Sequence, residues 1–423
     1  MTSAKKIRLM SLFILVGFIS GLFFAATKVH HGYPYATFLF KPGARFNDFY
    51  GMLPSIKTFS YCLSPIYYFP LTFWLLYPLT LFHSSHHAFY IYSALFCTYS
   101  YFFMMINTNS YQHEFNRIER HINLIILTFL SFPMLYCLDR GNLESLLFIF
   151  LSLSISCFYY KRYYWSSLFL AVAICFKFYP VVFLVLFLKE KRFKEFFTCI
   201  ALTGILTFLA LASLHGGIID NIKCFLASDS GVAYESALLA GVRQSGTIMA
   251  PIKVVLLHFI SLHGSVDTAV FKHYLFIIVP YYNIASVLLS GLLALYILFF
   301  EKTFWKQVSI LTMMTILFPA MSYDYKFIHL LIPFVLFAAA PSEKAIFGKI
   351  YLILFAILFI PKNYYLKQFT LLNYPIEPED LTISICVFID VFVMCGFIGL
   401  IIFERWYQYK TLIKENNNFV NKQ

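Results

Sequence analysis

Between Arg8 and Lys28 the chain carries no charged residue, and further apolar runs recur to its end, near 198–214, 273–300, 307–320, 327–340, 350–361 and 381–403. An apolar run of about 20 residues is long enough to span a bilayer as a helix. In lipid every backbone polar group needs a partner within the segment, so runs of this kind fold as helices. Composition agrees. Hydrophobic residues make up 60% of the chain, charged residues only 12% and mean hydropathy is +0.74, where a soluble protein carries about 25% charged residues. A globule of this size could not hide that much apolar surface, so lipid covers much of it. Soluble enzymes, nucleic-acid binders, disordered chains and disulfide-stapled secreted domains are excluded. The expected fold is all-α, a polytopic transmembrane bundle of about 10–12 crossings with re-entrant or interfacial segments on the outer face.

Charge sets the orientation. The excess of 32 Lys+Arg over 20 Asp+Glu sits mostly in short loops, where it encodes sidedness; the partner it implies is the bilayer, and no nucleic acid. Lys189-Glu-Lys-Arg-Phe-Lys194 is the densest basic loop and should be cytoplasmic, with the Lys302/Lys306, Lys344/Lys349 and Arg405/Lys410/Lys414 clusters on the same side. That puts 215–270 and 361–380 outside and both termini in the cytoplasm. In the N-terminal half the parity fails if 64–82, 88–106, 122–138 and 143–160 all cross. Segment 64–82 carries Pro65, Pro70 and Pro78, and proline breaks helices, so it reads as re-entrant. Asp139-Arg140-Gly141-Asn142 then faces out. The stretch 163–188 is two short apolar halves broken at Lys177-Phe-Tyr-Pro180, a hairpin with Lys177 at its outer tip.

The resulting map is one membrane domain over 1–423. It comprises a first helix (1–27, basic-flanked like a signal peptide but read as uncleaved), an outer loop (28–60), a re-entrant segment (61–82), a helical core (83–214), a large outer segment (215–270), C-terminal helices (271–403) and a cytoplasmic tail (404–423). Of nine cysteines, only Cys62 and Cys224 have loop character, leaving room for one disulfide.

Polar residues should gather at the outer helix ends. The first outer loop holds Lys28, His30, His31, Lys41, Arg45, Asp48 and Lys57, and Asp48 is the only acid before Glu114. Ser322-Tyr-Asp-Tyr-Lys326 forms a later outer turn, with His329 one turn on. Positive charge is normally kept out of short outer loops, so this surface suits an anionic partner. Plainer readings stand beside it: a solvated or helix-capping Asp48, an Arg140 paired with Asp139, a snorkelling Lys177. His83, His86 and His87 are metal ligands by type, but no carboxylate accompanies them at helical spacing. P-loop, G-x-G-x-x-G and H-E-x-x-H motifs are absent.

The pieces resemble a family pattern. Asn47-Asp48-Phe-Tyr50, Tyr67-Tyr-Phe-Pro70-Leu, Asp139-Arg-Gly-Asn-Leu-Glu-Ser145, Phe176-Lys177-Phe-Tyr-Pro180 and Ser322-Tyr-Asp-Tyr-Lys326 follow the order seen in GT-C glycosyltransferases, and most resemble glycosyltransferase family 87, the polyprenyl-phosphate-mannose-dependent type. The chain is also similar to the enzymes that add the first mannose in glycosylphosphatidylinositol synthesis. Those carry an Asp-x-Asp pair in the first loop, where this chain has Phe46 before Asn47-Asp48 and keeps a single acid. The resemblance implies a hexosyltransferase moving mannose from a polyprenyl-phosphate sugar to a glycolipid or glycan acceptor in a cell envelope; residue usage and the absence of eukaryotic retrieval signals make a bacterial inner membrane, rather than endoplasmic reticulum, the expected location. The resemblance also implies Asp48 as catalytic base and Arg140 and Lys177 as binders of the donor phosphate. Tyr50, Asn142, Tyr179, Asp324, Tyr325 and Lys326 are further substrate-binding candidates. No metal site is assigned and no cofactor is required, a divalent metal being left open. The competing classes are a flippase or transporter of lipid-linked sugars and a glycan polymerase or ligase, the latter using Arg243 of the large outer segment.

Overall fold

A computed structural model describes residues 2–28, 46–62, 69–108, 115–227, 242, 245–340, 345–361, 365–372 and 380–420. The helices are α1 (Ser3–Lys28), α2 (Asn47–Thr58), α3 (Leu71–Leu76), α4 (Ser85–Asn107), α5 (Arg117–Phe129), α6 (Phe132–Arg140), α7 (Glu144–Tyr159), α8 (Tyr163–Ile174), α9 (Leu184–Lys189), α10 (Phe193–Ser213), α11 (Ile218–Ala227), α12 (Met249–Ser261), α13 (Thr268–Phe299), α14 (Phe304–Leu317), α15 (Leu331–Ala339), α16 (Ala345–Phe359) and α17 (Cys386–Val420). This is the expected all-α polytopic bundle. It carries one small addition, a sheet of β1 (Val266–Asp267), β2 (Tyr365–Leu372) and β3 (Asp380–Ser384), with β1–β2 parallel and β2–β3 antiparallel.

Among the described residues five helices are long and apolar enough to cross a membrane, α1, α4, α10, α13 and α17, and a sixth span forms if α5 and α6 count as one. The apolar runs are therefore more broken than a bundle of about 10–12 crossings requires. The run at 122–138 is α5 and α6, bent by 52°, because Pro133 in the first turn of α6 has no N–H to continue the ladder of α5. The runs at 307–320 and 327–340 become α14 and α15, of 14 and 9 residues, separated by a turn and a 3₁₀ helix, Asp324–Leu330. Within 61–82 the described part holds α3 and a 3₁₀ turn, Tyr77–Leu81, with Pro78 in its first turn. Between 163 and 189, α8 ends at Ile174, and a 3₁₀ turn led by Tyr179-Pro180 opens α9.

The core sits on α14 and α15. In α14 every residue from Trp305 to Leu317 is buried, Lys306 and Gln307 included, and in α15 every residue from Leu331 to Ala338; α15, apolar all round, belongs in the interior. α13 instead exposes Tyr281, Val287, Leu288 and Phe299, as a lipid-facing helix would. Basic residues close helix ends: Lys6 Nζ donates to the Phe337 and Ala340 carbonyls (2.8 and 3.1 Å), and Lys189 Nζ to those of Ile297 and Leu298 (2.7 and 2.8 Å). Both reach carbonyls at a helix C-terminus, where the last groups lack a full set of intrahelical donors. The last helix runs through position 404, where the cytoplasmic tail was expected to begin. α17 continues to Val420, and buried Glu404 receives Lys306 Nζ at 2.8 Å and the Tyr351 hydroxyl at 2.7 Å. Cys62 and Cys224, 162 residues apart, form a disulfide that ties the chain just beyond α2 to α11.

Candidate active site

The expected outer loop is a helix where it matters. α2 begins at Asn47 after Phe46, a left-handed residue whose N–H donates to the Asp139 carbonyl at 2.8 Å. Phe49, Met52, Leu53 and Ile56 form its buried face, in one cluster with Phe89, Tyr92 and Leu143. Asp48 thereby stands in the first turn of α2, where the helix dipole favours a carboxylate, against the end of α6. That end is closed by Gly141 at φ +63°. A Cβ there would meet Phe49 Cβ at 3.0 Å and Phe89 at 3.1 Å, so both the turn and the close packing of α2 require glycine.

Across this junction Arg140 Nη2 pairs with Asp48 Oδ1, and Asn142 Nδ2 donates to Asp48 Oδ2 at 2.7 Å. Each side chain of the Asp48–Arg140 pair is 16% exposed. A carboxylate has about four acceptor positions, so these two bonds leave Asp48 capacity for another donor. Asn142 is fixed on its other faces: Tyr92 Oη donates to its carbonyl at 2.9 Å, and its Oδ1 accepts the Glu144 N–H at 3.0 Å. Tyr50, also on α2, bonds through its hydroxyl to His86 Nδ1 at 2.8 Å.

The Asn142–Glu144 bond leads into a second cluster. Glu144 is fully buried in the first turn of α7 and is surrounded by donors. Lys177 Nζ lies 2.6 Å from Oε1, the Tyr179 hydroxyl donates to Oε2, and His329 Nε2 lies 2.7 Å from Oε2 and 2.9 Å from Tyr179 Oη. Lys326 Nζ stands 4.3 Å from the Tyr179 ring centre and Lys177 Nζ 5.5 Å from that of Tyr325. Lys326 lies in the 3₁₀ turn outside the candidate spans. Burial pushes its ammonium down to about 8, against the pull of the Glu144 carboxylate. Tyr325 also interacts electrostatically with Arg140, and buried Tyr136 with Arg140, Asp324, Asp48 and Tyr323. The two clusters are thus one continuous polar site. It is built from the start of α2, the α6–α7 turn, the break before α9 and the turn before α15.

Asp48, Arg140, Asn142, Lys177, Tyr179, Asp324, Tyr325 and Lys326 all belong to it; Tyr50 turns to His86 beside it, and Arg243 lies outside the described residues. The sequence reading missed Glu144 and His329 as site residues. Both were in view, Glu144 inside Arg-Gly-Asn-Leu-Glu-Ser and His329 one turn past Lys326. The usable signal was an acid at the head of an apolar run, since ionisable groups at membrane depth are rare and functional by default. Among the described residues no three His, Cys, Asp or Glu gather as metal ligands. Chemically the site offers one partly exposed carboxylate beside one guanidinium and two ammonium groups, a combination suited to taking a proton next to an anion.

A family model described as glycosyltransferase family 87 matches residues 67–321, more than half of the chain. The matched stretch contains Arg140, Asn142, Glu144, Lys177 and Tyr179, and the fold adds Asp48 before it and Asp324, Tyr325, Lys326 and His329 after it. Comparison with curated proteins gave no match.

Proposed function

The chain belongs to glycosyltransferase family 87 and is a membrane glycosyltransferase; from that premise we propose that it transfers a hexose, mannose by the resemblance above, from a polyprenyl-phosphate sugar to a glycolipid or glycan acceptor. The acceptor hydroxyl attacks the anomeric carbon from the face opposite the phosphate, so the configuration inverts. The new carbon–oxygen bond forms as the carbon–oxygen bond to phosphate breaks. The bond's electron pair leaves on polyprenyl phosphate, and the acceptor proton goes to Asp48. Arg140, Lys177 and Lys326 counter the charge growing on the leaving phosphate. Arg140 is suited to bridging both ends of the reaction, because a guanidinium carries five N–H donors in a planar fork.

The observation that carries this reading is the joining of Asp48 to Arg140 and Asn142, and through Asn142 to the Glu144 cluster that holds Lys177. The outer-face assignment, with both termini in the cytoplasm, draws support from the Cys62–Cys224 disulfide just beyond α2, since disulfides persist in oxidising compartments. The test is to supply purified protein in lipid with a polyprenyl-phosphate sugar and an acceptor extract, and to measure released polyprenyl phosphate. Release with matching acceptor glycosylation supports the transfer. Movement of the lipid-linked sugar across the bilayer with no release would replace it with the flippase reading.

A further inference from the structure

Glu144, like His329, is a residue of the site that no expectation assigned, and its surroundings are specific. A fully buried carboxylate is costly unless its oxygens are met by donors. Here Oε1 takes the Lys177 ammonium, while Oε2 takes the Tyr179 hydroxyl and His329 Nε2–H. His329 is itself fully buried, and its Nδ1 has no partner among the described residues. The arrangement is met by a neutral imidazole protonated on Nε2. One carboxylate thus fixes three side chains from two separate parts of the chain. Glu144 is 0% exposed while the Lys177 side chain is 17% exposed, so whatever part of this pair a ligand can reach belongs to Lys177. Lysine on its own is a flexible point charge; tied at Oε1, its position is set before any ligand arrives.

We propose that Glu144 is a positioning residue for donor binding: it touches no reacting atom, and it holds Lys177 directed at the donor phosphate while locking Tyr179 and His329 behind it. The inference rests on the reading of Lys177 as a phosphate binder. The energetic logic is preorganisation, in which binding loses less freedom when the charged group is already in place. Its signature is a loss in donor affinity that runs through Lys177.

The experiment measures donor KM and kcat for the full chain in lipid vesicles, using a polyprenyl-phosphate sugar as probe. The variants are Lys177→Ala, Glu144→Gln, their double and Tyr179→Phe. Lys177→Ala should raise donor KM on the order of tenfold, as expected for about 1.4 kcal/mol of lost binding. Glu144→Gln should raise it by a similar factor with kcat at saturating donor largely kept, and the double variant should be no worse than Lys177→Ala alone. Tyr179→Phe, which removes one donor but keeps the carboxylate, should fall between wild type and Glu144→Gln, and it reports on the anchor if the glutamine variant does not fold. If Lys177→Ala raises KM while both Glu144→Gln and Tyr179→Phe match wild type, the positioning role is overturned and the donor reading survives. Additive losses in the double variant also overturn it. If Lys177→Ala itself leaves donor KM unchanged, the donor reading falls and takes this inference with it.

Discussion

Replacing Asp48 by asparagine should separate chemistry from architecture. Asp48 holds Arg140 and accepts from Asn142, so the change removes the proton acceptor and also leaves the guanidinium short of a counter-charge. The structural cost follows from burial. Exposed pairs contribute about 0–1 kcal/mol, whereas breaking a fully buried pair costs about 3–5 kcal/mol. With both side chains 16% exposed, a loss of about 2 kcal/mol is expected, read as a lower thermal midpoint in detergent. Neutralising Arg140 as well, in Asp48→Asn/Arg140→Gln, should recover part of that midpoint. The catalytic cost is larger and is not recoverable. Loss of a general base lowers rate about 10²–10⁴-fold, or about 2.7–5.4 kcal/mol at 1.36 kcal/mol per decade. The loss should appear in kcat with donor KM near wild type, because asparagine keeps the size and much of the hydrogen bonding. Arg140→Lys, which gives up the bidentate fork, should do the opposite and raise donor KM. Steady-state release of polyprenyl phosphate across a donor titration measures both parameters. Asp48→Asn with kcat within a fewfold of wild type refutes the base assignment. Loss confined to donor KM would recast Asp48 as a holder of Arg140. If Asp324→Asn is dead and Asp48→Asn active, the base lies in the later turn.

Lys326 gives a pH prediction. Its value of about 8 lies below the ordinary one because burial penalises the charge, and a phosphodiester donor does not titrate in that range. Donor kcat/KM should therefore fall as pH rises through about 8, and Lys326→Arg should flatten that limb; an unchanged profile in Lys326→Arg would assign it elsewhere. For stability the sign is reversed: burying the charged lysine costs stability, and that cost shrinks as pH climbs from about 8 toward 10.5. Cys62→Ser should lower the thermal midpoint by an amount corresponding to about 2–4 kcal/mol, and maleimide should label Cys224 in the wild type only after reduction; labelling without reduction would refute the crosslink. Single cysteines at exposed Lys57 and Phe193 should react with a membrane-impermeant thiol reagent from opposite sides, Lys57 from outside. Labelling from one side at both positions would break the topology.

The legible part of the fold was whatever composition and periodicity control. Continuous apolar runs announced helices, prolines at 78 and 180 marked places where helices stop or restart, and two loop-like cysteines among nine matched the observed disulfide. Less legible was how far each run continues as one helix. Pro133 splits α5 from α6, and the chain at 318–330 turns away between α14 and α15. Those breaks reflect local backbone chemistry and the need to bring polar groups together, which a hydropathy window averages away. The sheet escaped notice for a related reason: β2 and β3 pair through backbone register, Phe369 opposite Leu381, in a segment too polar to read as a span.

In the site the same division holds at the level of single residues. Asp48, Arg140 and Lys177 stood out because each is a charge where a membrane chain avoids charge. Their pairing did not, because Arg140 has an acid beside it in sequence, Asp139, yet the ion pair seen across the α2–α6 junction is with Asp48, 92 residues away. Glu144 was overlooked for the converse reason: it sits inside a recognisable motif, but its partners Lys177 and His329 come 33 and 185 residues later. A lone acid at the head of an apolar helix can be kept ionised only if donors reach it from elsewhere in the fold. Its presence in a sequence is therefore already a demand for donors at a distance. Glu144 thus calls for something like Lys177 and His329, while Gly141 leaves room for α2 to pack on the turn that bears Arg140 and Asn142. What the sequence leaves open is which of several basic residues answers, and only the packing of α7 against the breaks before α9 and α15 decides it.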